Sequence, residues 1–270
     1  MTTPTPAAFA RTVRGDGPGL LLAHGAGGSI EANYGPIMEG LAARHTVVGV
    51  DYPGSGATPA SPRRLEADEL VDQLIAAADA EGLDTFAVSG YSLGGPVAIR
   101  LAARYPERVS SLVLSATFAH ADTRTELAAS IWQQLFATGQ HTVLAAYLNL
   151  MALGEPALNA LTPAQVQAAA EQLAPVLPAG TPEQVDLVRR IDVRGDLAHI
   201  TAPTLVIVTT ADPLISPALQ RELAAAIPAA EIAEVPTGHL PFAEQPQQWL
   251  KVISDFLART AKPSGAGIGA

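Results

Sequence analysis

The chain contains no cysteine. That excludes disulfides, thiolate catalysis and cysteine-ligated metals, and a cytoplasmic location is expected. Basic residues are few: 16 Lys and Arg stand against 26 Asp and Glu, a formal net charge of −10. No basic stripe exists to track a phosphate backbone, so nucleic acid is not an expected partner. The acidic residues are scattered rather than blocked, which describes an acidic soluble surface and not an acidic tail. No apolar run approaches the roughly 20 residues that a membrane span needs, so no membrane partner is expected either. The opening MTTPTPAAFARTVRGDGPG lacks the basic start and apolar stretch of a signal peptide.

What the chain does have is apolar mass. Hydrophobic residues make up 48% of its 270 positions, which is incompatible with a disordered chain and ample for a full core. Short β-rich runs alternate with amphipathic stretches. GLLLAHG, HTVVGVDYPGSG, TFAVSG, VSSLVLSA, PTLVIVTTAD and EIAEVPTGH read as strands ending in turns. Between them, residues 30–43, 65–81, 93–105, 217–226 and 245–259 read as helices. Near-continuous apolar strands alternating with helices predict an α/β domain, a mostly parallel sheet covered on both faces.

Residues 118–190 break the rhythm with helix after helix and no convincing strand. Thr162-Pro163 and Thr181-Pro182 each read as an N-cap followed by proline at the first helical position. The expected organisation is a core of residues 1–117 and 191–260, an all-helical insertion of residues 118–190, and a disordered Gly/Ala/Pro-rich tail at 261–270.

One stretch carries a chemical signal. In GYSLGG, Ser92 has Gly90 and Gly94 two residues away on either side. A lone G-x-S-x-G is weak, but here it joins a strand to a helix. So sharp a turn strains the serine backbone, needs glycine where a side chain would clash, and exposes Oγ at the sheet edge over a helix N-terminus. A serine that only capped the helix would not need glycine on both sides.

A serine hydroxyl needs a base, and the base an orienting acid. Of the six histidines, His45 and His199 precede strands, at the opposite edge, and His120 and His141 lie in the insertion. His239, in PTGHLPF after the last strand, reaches the serine's edge. Asp212 ends TLVIVTTAD, between serine and histidine in chain order; its bland reading is a cap for the following helix. No carboxylate directly follows VSSLVLSA, the other common placement, and Asp122 is several residues on. An oxyanion needs two N–H donors. Leu93 follows the serine at a helix N-terminus, and Ala26 lies in HGAGGS, where glycines permit close approach. His24 is expected to hold that loop.

With these residues the chain resembles the α/β-hydrolase superfamily over about residues 8–260. HGAGG, DYPGSG, GYSLGG, and TTAD followed by TGH appear in family order. The resemblance implies an α/β-hydrolase fold with about seven or eight strands. It implies Ser92, Asp212 and His239 as catalytic triad, Ala26 and Leu93 as oxyanion hole, and Asp51 as structural. The family's first strands form a hairpin, but only about 19 residues precede Leu20, so one strand is expected to be missing. Dehalogenases and epoxide hydrolases of this fold carry aspartate where this chain has Ser92. HGAGG fits the esterase, lactonase, thioesterase, C–C hydrolase and perhydrolase group.

The resemblance also implies that the insertion is a lid over the nucleophile, with Trp132, Phe136, Tyr147, Leu150 and Met151 as candidate pocket walls. Residues 131–153 contain no Lys, Arg, Asp or Glu, so a charged substrate would be buried there without a partner. The expected function is hydrolysis of a small uncharged carboxylic ester, lactone or thioester through an acyl-enzyme. The partner is a small-molecule acyl substrate; no metal and no organic cofactor are expected. The same site could instead serve acyl transfer, perhydrolysis or deacylation with elimination. A non-catalytic small-molecule receptor would not need base and acid.

Overall fold

The structure, a computed structural model, describes residues 9–261. From residue 262 on, the expected tail falls outside them. Among the described residues, β1 (Arg11–Arg14), β2 (Gly19–Ala23), β3 (Thr46–Val50), β4 (Phe86–Tyr91), β5 (Val109–Ser115), β6 (Thr204–Thr209) and β7 (Glu231–Val235) form one sheet. Its order is β1-β3-β2-β4-β5-β6-β7. Only β1 runs antiparallel, against β3; every other pairing is parallel. Among the described residues a single strand, β1, precedes β2, at the sheet edge.

The helices are α1 (Ile30–Ala42), α2 (Ala67–Ala80), α3 (Gly94–Arg104), α4 (Thr123–Ala137), α5 (His141–Ala152), α6 (Glu155–Asn159), α7 (Pro163–Leu173), α8 (Thr181–Arg190), α9 (Pro217–Ala226), α10 (Pro241–Glu244) and α11 (Pro246–Thr260). Strand alternation sorts the core into two layers. Leu20, Leu22, Val113 and Ile207 pack with Tyr34 and Ile37 of α1 and Trp249, Ile253 and Phe256 of α11. Leu21, Val88, Leu112 and Val206 face the other way, onto Leu74 of α2, Val97 and Leu101 of α3, and Leu219 and Leu223 of α9. This two-sided burial explains why β2, β4 and β6 read as near-continuous apolar runs.

Residues 118–190 hold α4 to α8. Their entry and exit run side by side: His120 bridges Asp192 antiparallel, and the Val193 N–H donates to Ala119 O at 2.9 Å. At α7, Thr162 is the N-cap and Pro163 the first helical residue, as the Thr-Pro pair predicts, and Thr162 and Gln165 add a reciprocal cap. Thr181 is different. Gly180 is the N-cap and Thr181 the first residue of α8. The Thr181 N–H is taken by Pro178 O at 3.1 Å, and the Gly180 N–H by Gly54 O at 3.2 Å. The turn docks on the 52–58 loop, and the helix starts one residue earlier than the Thr-Pro pair predicts.

Candidate active site

Ser92 leaves β4 with φ at 51°, in the left-handed region. Its peptide is pinned on both sides. The Ser92 N–H donates to Ser115 O at 3.1 Å. Its carbonyl accepts from Thr117 Oγ1 at 2.6 Å and the Gly95 N–H at 2.9 Å. The glycines are steric requirements: a Cβ on Gly90 would strike the Gly94 backbone, and one on Gly94 would strike the Ala23 carbonyl.

Ser92, His239 and Asp212 arrive from the ends of β4, β7 and β6 and meet. Ser92 Oγ lies 3.0 Å from His239 Nε2, and His239 Nδ1 lies 2.8 Å from Asp212 Oδ2. All three are buried. Asp212 Oδ1 accepts from the N–H groups of Leu214 and Ile215, each at 2.9 Å. Its Oδ2 also accepts from Thr209 Oγ1 at 2.9 Å. Gln220 Nε2 donates to Ile215 O at 2.8 Å and approaches Oδ2 at 3.3 Å. A buried carboxylate needs such donors, and these fix Oδ2 against the imidazole. Tyr91 Oη donates to His239 O at 2.9 Å, and burial pushes its phenol well above the ordinary range, so it stays neutral.

The His239 N–H donates to Ala152 O at the end of α5, at 2.6 Å. Glu244 Oε1 accepts from both Gly238 and Gly154, at 3.0 and 3.1 Å. The insertion thus grips the histidine loop.

On the other side of Ser92 the 24–28 loop is equally held. Gly25 donates to Asn33 Oδ1 at 3.0 Å and Gly27 to Gln184 Oε1 at 2.8 Å. The N–H groups of Ala26 and Leu93, the two expected donors, have no such partner among the described residues. Gln184, on α8 and fully buried, donates through Nε2 to Pro53 O at 3.1 Å and Ser55 Oγ at 2.9 Å. His24 is fully buried and stacks on Tyr52. Its Nε2 accepts from the Tyr52 N–H at 2.9 Å and its Nδ1 lies 2.8 Å from Gly25 O. Burial lowers its pKa to about 4, so it is a neutral strut. Asp51 Oδ1 accepts from the Ile30 N–H at 2.8 Å, a structural contact at the start of α1.

Above Ser92 lies a cavity of about 20 Å³, lined by Ala26, Phe118, Thr125, Ala129, Trp132, Val185, Val188, Leu214 and Ile215. That volume holds about one water molecule. Of the wall residues expected from the sequence, only Trp132 lines it. Tyr147 turns its hydroxyl to Ala128 O at 3.0 Å, Phe136 lies against His141, and Leu150 is 58% exposed. Met151 is also absent from the lining. The reason is helix rotation: α4 and α8 turn Thr125, Ala129, Val185 and Val188 toward Ser92, while α5 turns Leu144 and Ala145 inward.

The sequence reading missed Gln184, Gln220 and Glu244. The first two left a signal: Gln220 is a lone polar residue in a buried stripe beside Leu219 and Leu223, and Gln184 is a long polar side chain in one beside Val185 and Val188. No group of three His, Asp or Glu among the described residues could hold a metal. No described helix is long and apolar enough to cross a membrane.

Residues 18–246 match the family model of the alpha/beta hydrolase fold. The chain is 32% identical over 247 residues to the pyrrolizixenacetamide deacetylase of Xenorhabdus hominickii, covering 91% of this chain and 92% of that protein. It is 31% identical over 263 residues to a pimeloyl-[acyl-carrier protein] methyl ester esterase of Chromobacterium violaceum, covering 92% and 97%. The enol-lactonase from Burkholderia xenovorans LB400 superposes with a TM-score of 0.82 at 22% identity, covering 93% of this chain and 96% of that one, a likeness of fold.

Proposed function

Because the chain belongs to the alpha/beta hydrolase family, we propose that it is a serine hydrolase of small, uncharged carboxylic esters, lactones or thioesters, working through an acyl-enzyme. The observation that carries the reading is the continuous contact from Ser92 Oγ through His239 to Asp212 Oδ2, at 3.0 and 2.8 Å. A neutral imidazole with Nδ1–H held by the carboxylate presents the Nε2 lone pair to Ser92. His239 takes the Ser92 proton as Oγ attacks the carbonyl carbon. The oxyanion is received by the N–H groups of Ala26 and Leu93, which are not committed elsewhere. His239 then protonates the leaving heteroatom, and water, deprotonated by the same base, releases the acyl group.

The relatives support this reading without fixing a substrate. Their names specify an acetamide and a methyl ester, each a carbonyl carbon bearing a heteroatom leaving group.

A fluorophosphonate probe tests the proposal. It should modify Ser92 and no other residue, as mapped by peptide mass spectrometry. The Ser92→Ala variant should stay folded, resist the probe and lose hydrolysis by several orders of magnitude. Equal labelling of Ser92→Ala would overturn the assignment.

A further inference from the structure

The cavity above Ser92 is apolar in outline but carries polar groups that no described residue satisfies. Thr125 is 2% exposed, lines the cavity, and its Oγ1 has no hydrogen-bond partner. Trp132 lines it too, and its buried Nε1–H is likewise unpartnered. Thr181, fully buried, has an unpartnered Oγ1.

Trp132 and Thr181 meet at the loop beside the nucleophile. A Cβ built on Gly27 would lie 2.7 Å from Trp132 Cζ2, 3.2 Å from its Cη2 and 3.6 Å from Thr181 Oγ1. In an indole, Cζ2 and Nε1 are bonded to the same atom, Cε2. The indole therefore packs its Cζ2–Cη2 edge against the loop of Ala26, with Nε1 one atom removed from that contact. The whole chain has two tryptophans, and the other shows the ordinary arrangement: Trp249 Nε1 donates to Ser115 Oγ at 3.0 Å.

Leaving a buried polar group unpaired is costly, and native proteins avoid it except where something else completes the bond. An indole N–H can only donate, and a hydroxyl can donate as well as accept. What completes this set is an acceptor. The lining contains no cationic side chain, and Asp212 lies just behind it, so a carboxylate has no counter-charge there. A neutral oxygen fits.

We infer that the cavity is a recognition subsite for a neutral hydrogen-bond acceptor on the acyl group, received by Trp132 Nε1–H and the Thr125 hydroxyl. The substrate class is then an acyl compound with a second uncharged oxygen, such as a keto, amide, alkoxy or ring oxygen, rather than a plain hydrocarbon acyl group. The inference rests on Ser92 being the nucleophile. It deepens that reading by naming what lies next to the scissile carbonyl.

The test is binding to Ser92→Ala protein, so that turnover does not enter. Ethyl methoxyacetate and ethyl butanoate match in length and differ by one oxygen for one methylene. In a ¹⁵N-labelled sample the two indole cross-peaks are assigned by the loss of one in Trp132→Phe. The oxygen-bearing ester should move the Trp132 indole proton downfield and bind about fivefold to tenfold more tightly than its isostere, the effect of one neutral hydrogen bond. Trp132→Phe and Thr125→Val should each bring the ratio toward one. Equal binding, an equal indole shift from both esters, or a ratio preserved in both variants would overturn the subsite. If the wild type hydrolyses no ester while the binding ratio holds, the proposed function fails and the subsite stands. If Ser92-dependent hydrolysis is found with no binding ratio, the reverse is true.

Discussion

Gln184 should matter to rate as well as to fold, and the two effects can be separated. Its amide makes three contacts: the Gly27 N–H to Oε1 at 2.8 Å, and Nε2 to Pro53 O at 3.1 Å and to Ser55 Oγ at 2.9 Å. Gln184→Leu keeps the bulk and removes all three. Each orphaned buried group costs about 1–3 kcal/mol, and Ser55 can turn to another partner, so a loss of about 3 kcal/mol is expected. In a chain of this size that lowers Tm by about 6–12 °C. Freed of its anchor, the 24–28 loop no longer aims the Ala26 N–H. Removing one oxyanion donor outright costs about 10²–10³ in kcat; loosening one should cost about 10–100-fold, with KM within about threefold. Gln184→Glu retains an acceptor for the Gly27 N–H but turns a carboxylate on Pro53 O. It should be at least as destabilised as the leucine variant, yet faster. The assay is ester hydrolysis at a temperature where calorimetry shows both variants folded. A leucine variant that loses stability but keeps kcat within about twofold would refute the argument, leaving Gln184 as a brace for the insertion alone.

Three further outcomes are expected. Asp212→Asn should leave the fold intact and lower kcat by about four orders of magnitude, because the amide no longer holds the imidazole in the accepting tautomer; a loss under about tenfold would remove Asp212 from the mechanism. His24 has its pKa lowered from 6.5 to about 4 by burial, so the unfolded chain binds the extra proton between those values. The stability this represents, about 3 kcal/mol, is complete above about pH 6.5 and is lost as pH falls toward 4. Urea unfolding of wild type should therefore weaken between pH 7 and 4 by about that much more than unfolding of His24→Phe, and parallel slopes would refute it. On p-nitrophenyl esters with matched neutral, anionic and cationic acyl chains, the neutral ester should turn over fastest. Trp132→Ala should change the ranking, and Leu150→Ala, whose side chain is 58% exposed, should not.

The sequence is legible where a contact is enforced by backbone over a short span. Gly90 and Gly94 are glycines because the turn brings the Gly94 backbone and the Ala23 carbonyl against their α-carbons, and that demand writes itself into five consecutive letters. The near-continuous apolar runs of β2, β4 and β6 report burial on both faces in the same way. The pocket walls do not work like this. The central part of the insertion is apolar on more than one face, so periodicity does not choose which side of α4 or α5 turns toward Ser92. Tyr147 and Leu150 look as suited to line a pocket as Thr125 and Ala129 do. Rotation is set by packing against residues far away in sequence: Gln184 reaches Gly27 across 157 positions.

That distance also bears on how the insertion and the chemistry are joined. The insertion supplies the cavity's walls through α4 and α8, but it holds the reacting groups as well. Gln184 carries the loop of Ala26, Ala152 O accepts the His239 N–H, and Glu244 fastens Gly154 to Gly238 through one oxygen. Ser92 itself is pinned from the core, by Ser115 and Thr117. The nucleophile is thus positioned by the sheet, whereas the base and one oxyanion donor are positioned partly by the segment that shapes the pocket. A change to this insertion that alters substrate choice while leaving kcat intact must therefore preserve two small patches, Ala152–Gly154 and Gln184. The faces of α4 toward the cavity, at Thr125, Ala129 and Trp132, make none of these contacts and are where specificity can vary without moving the base.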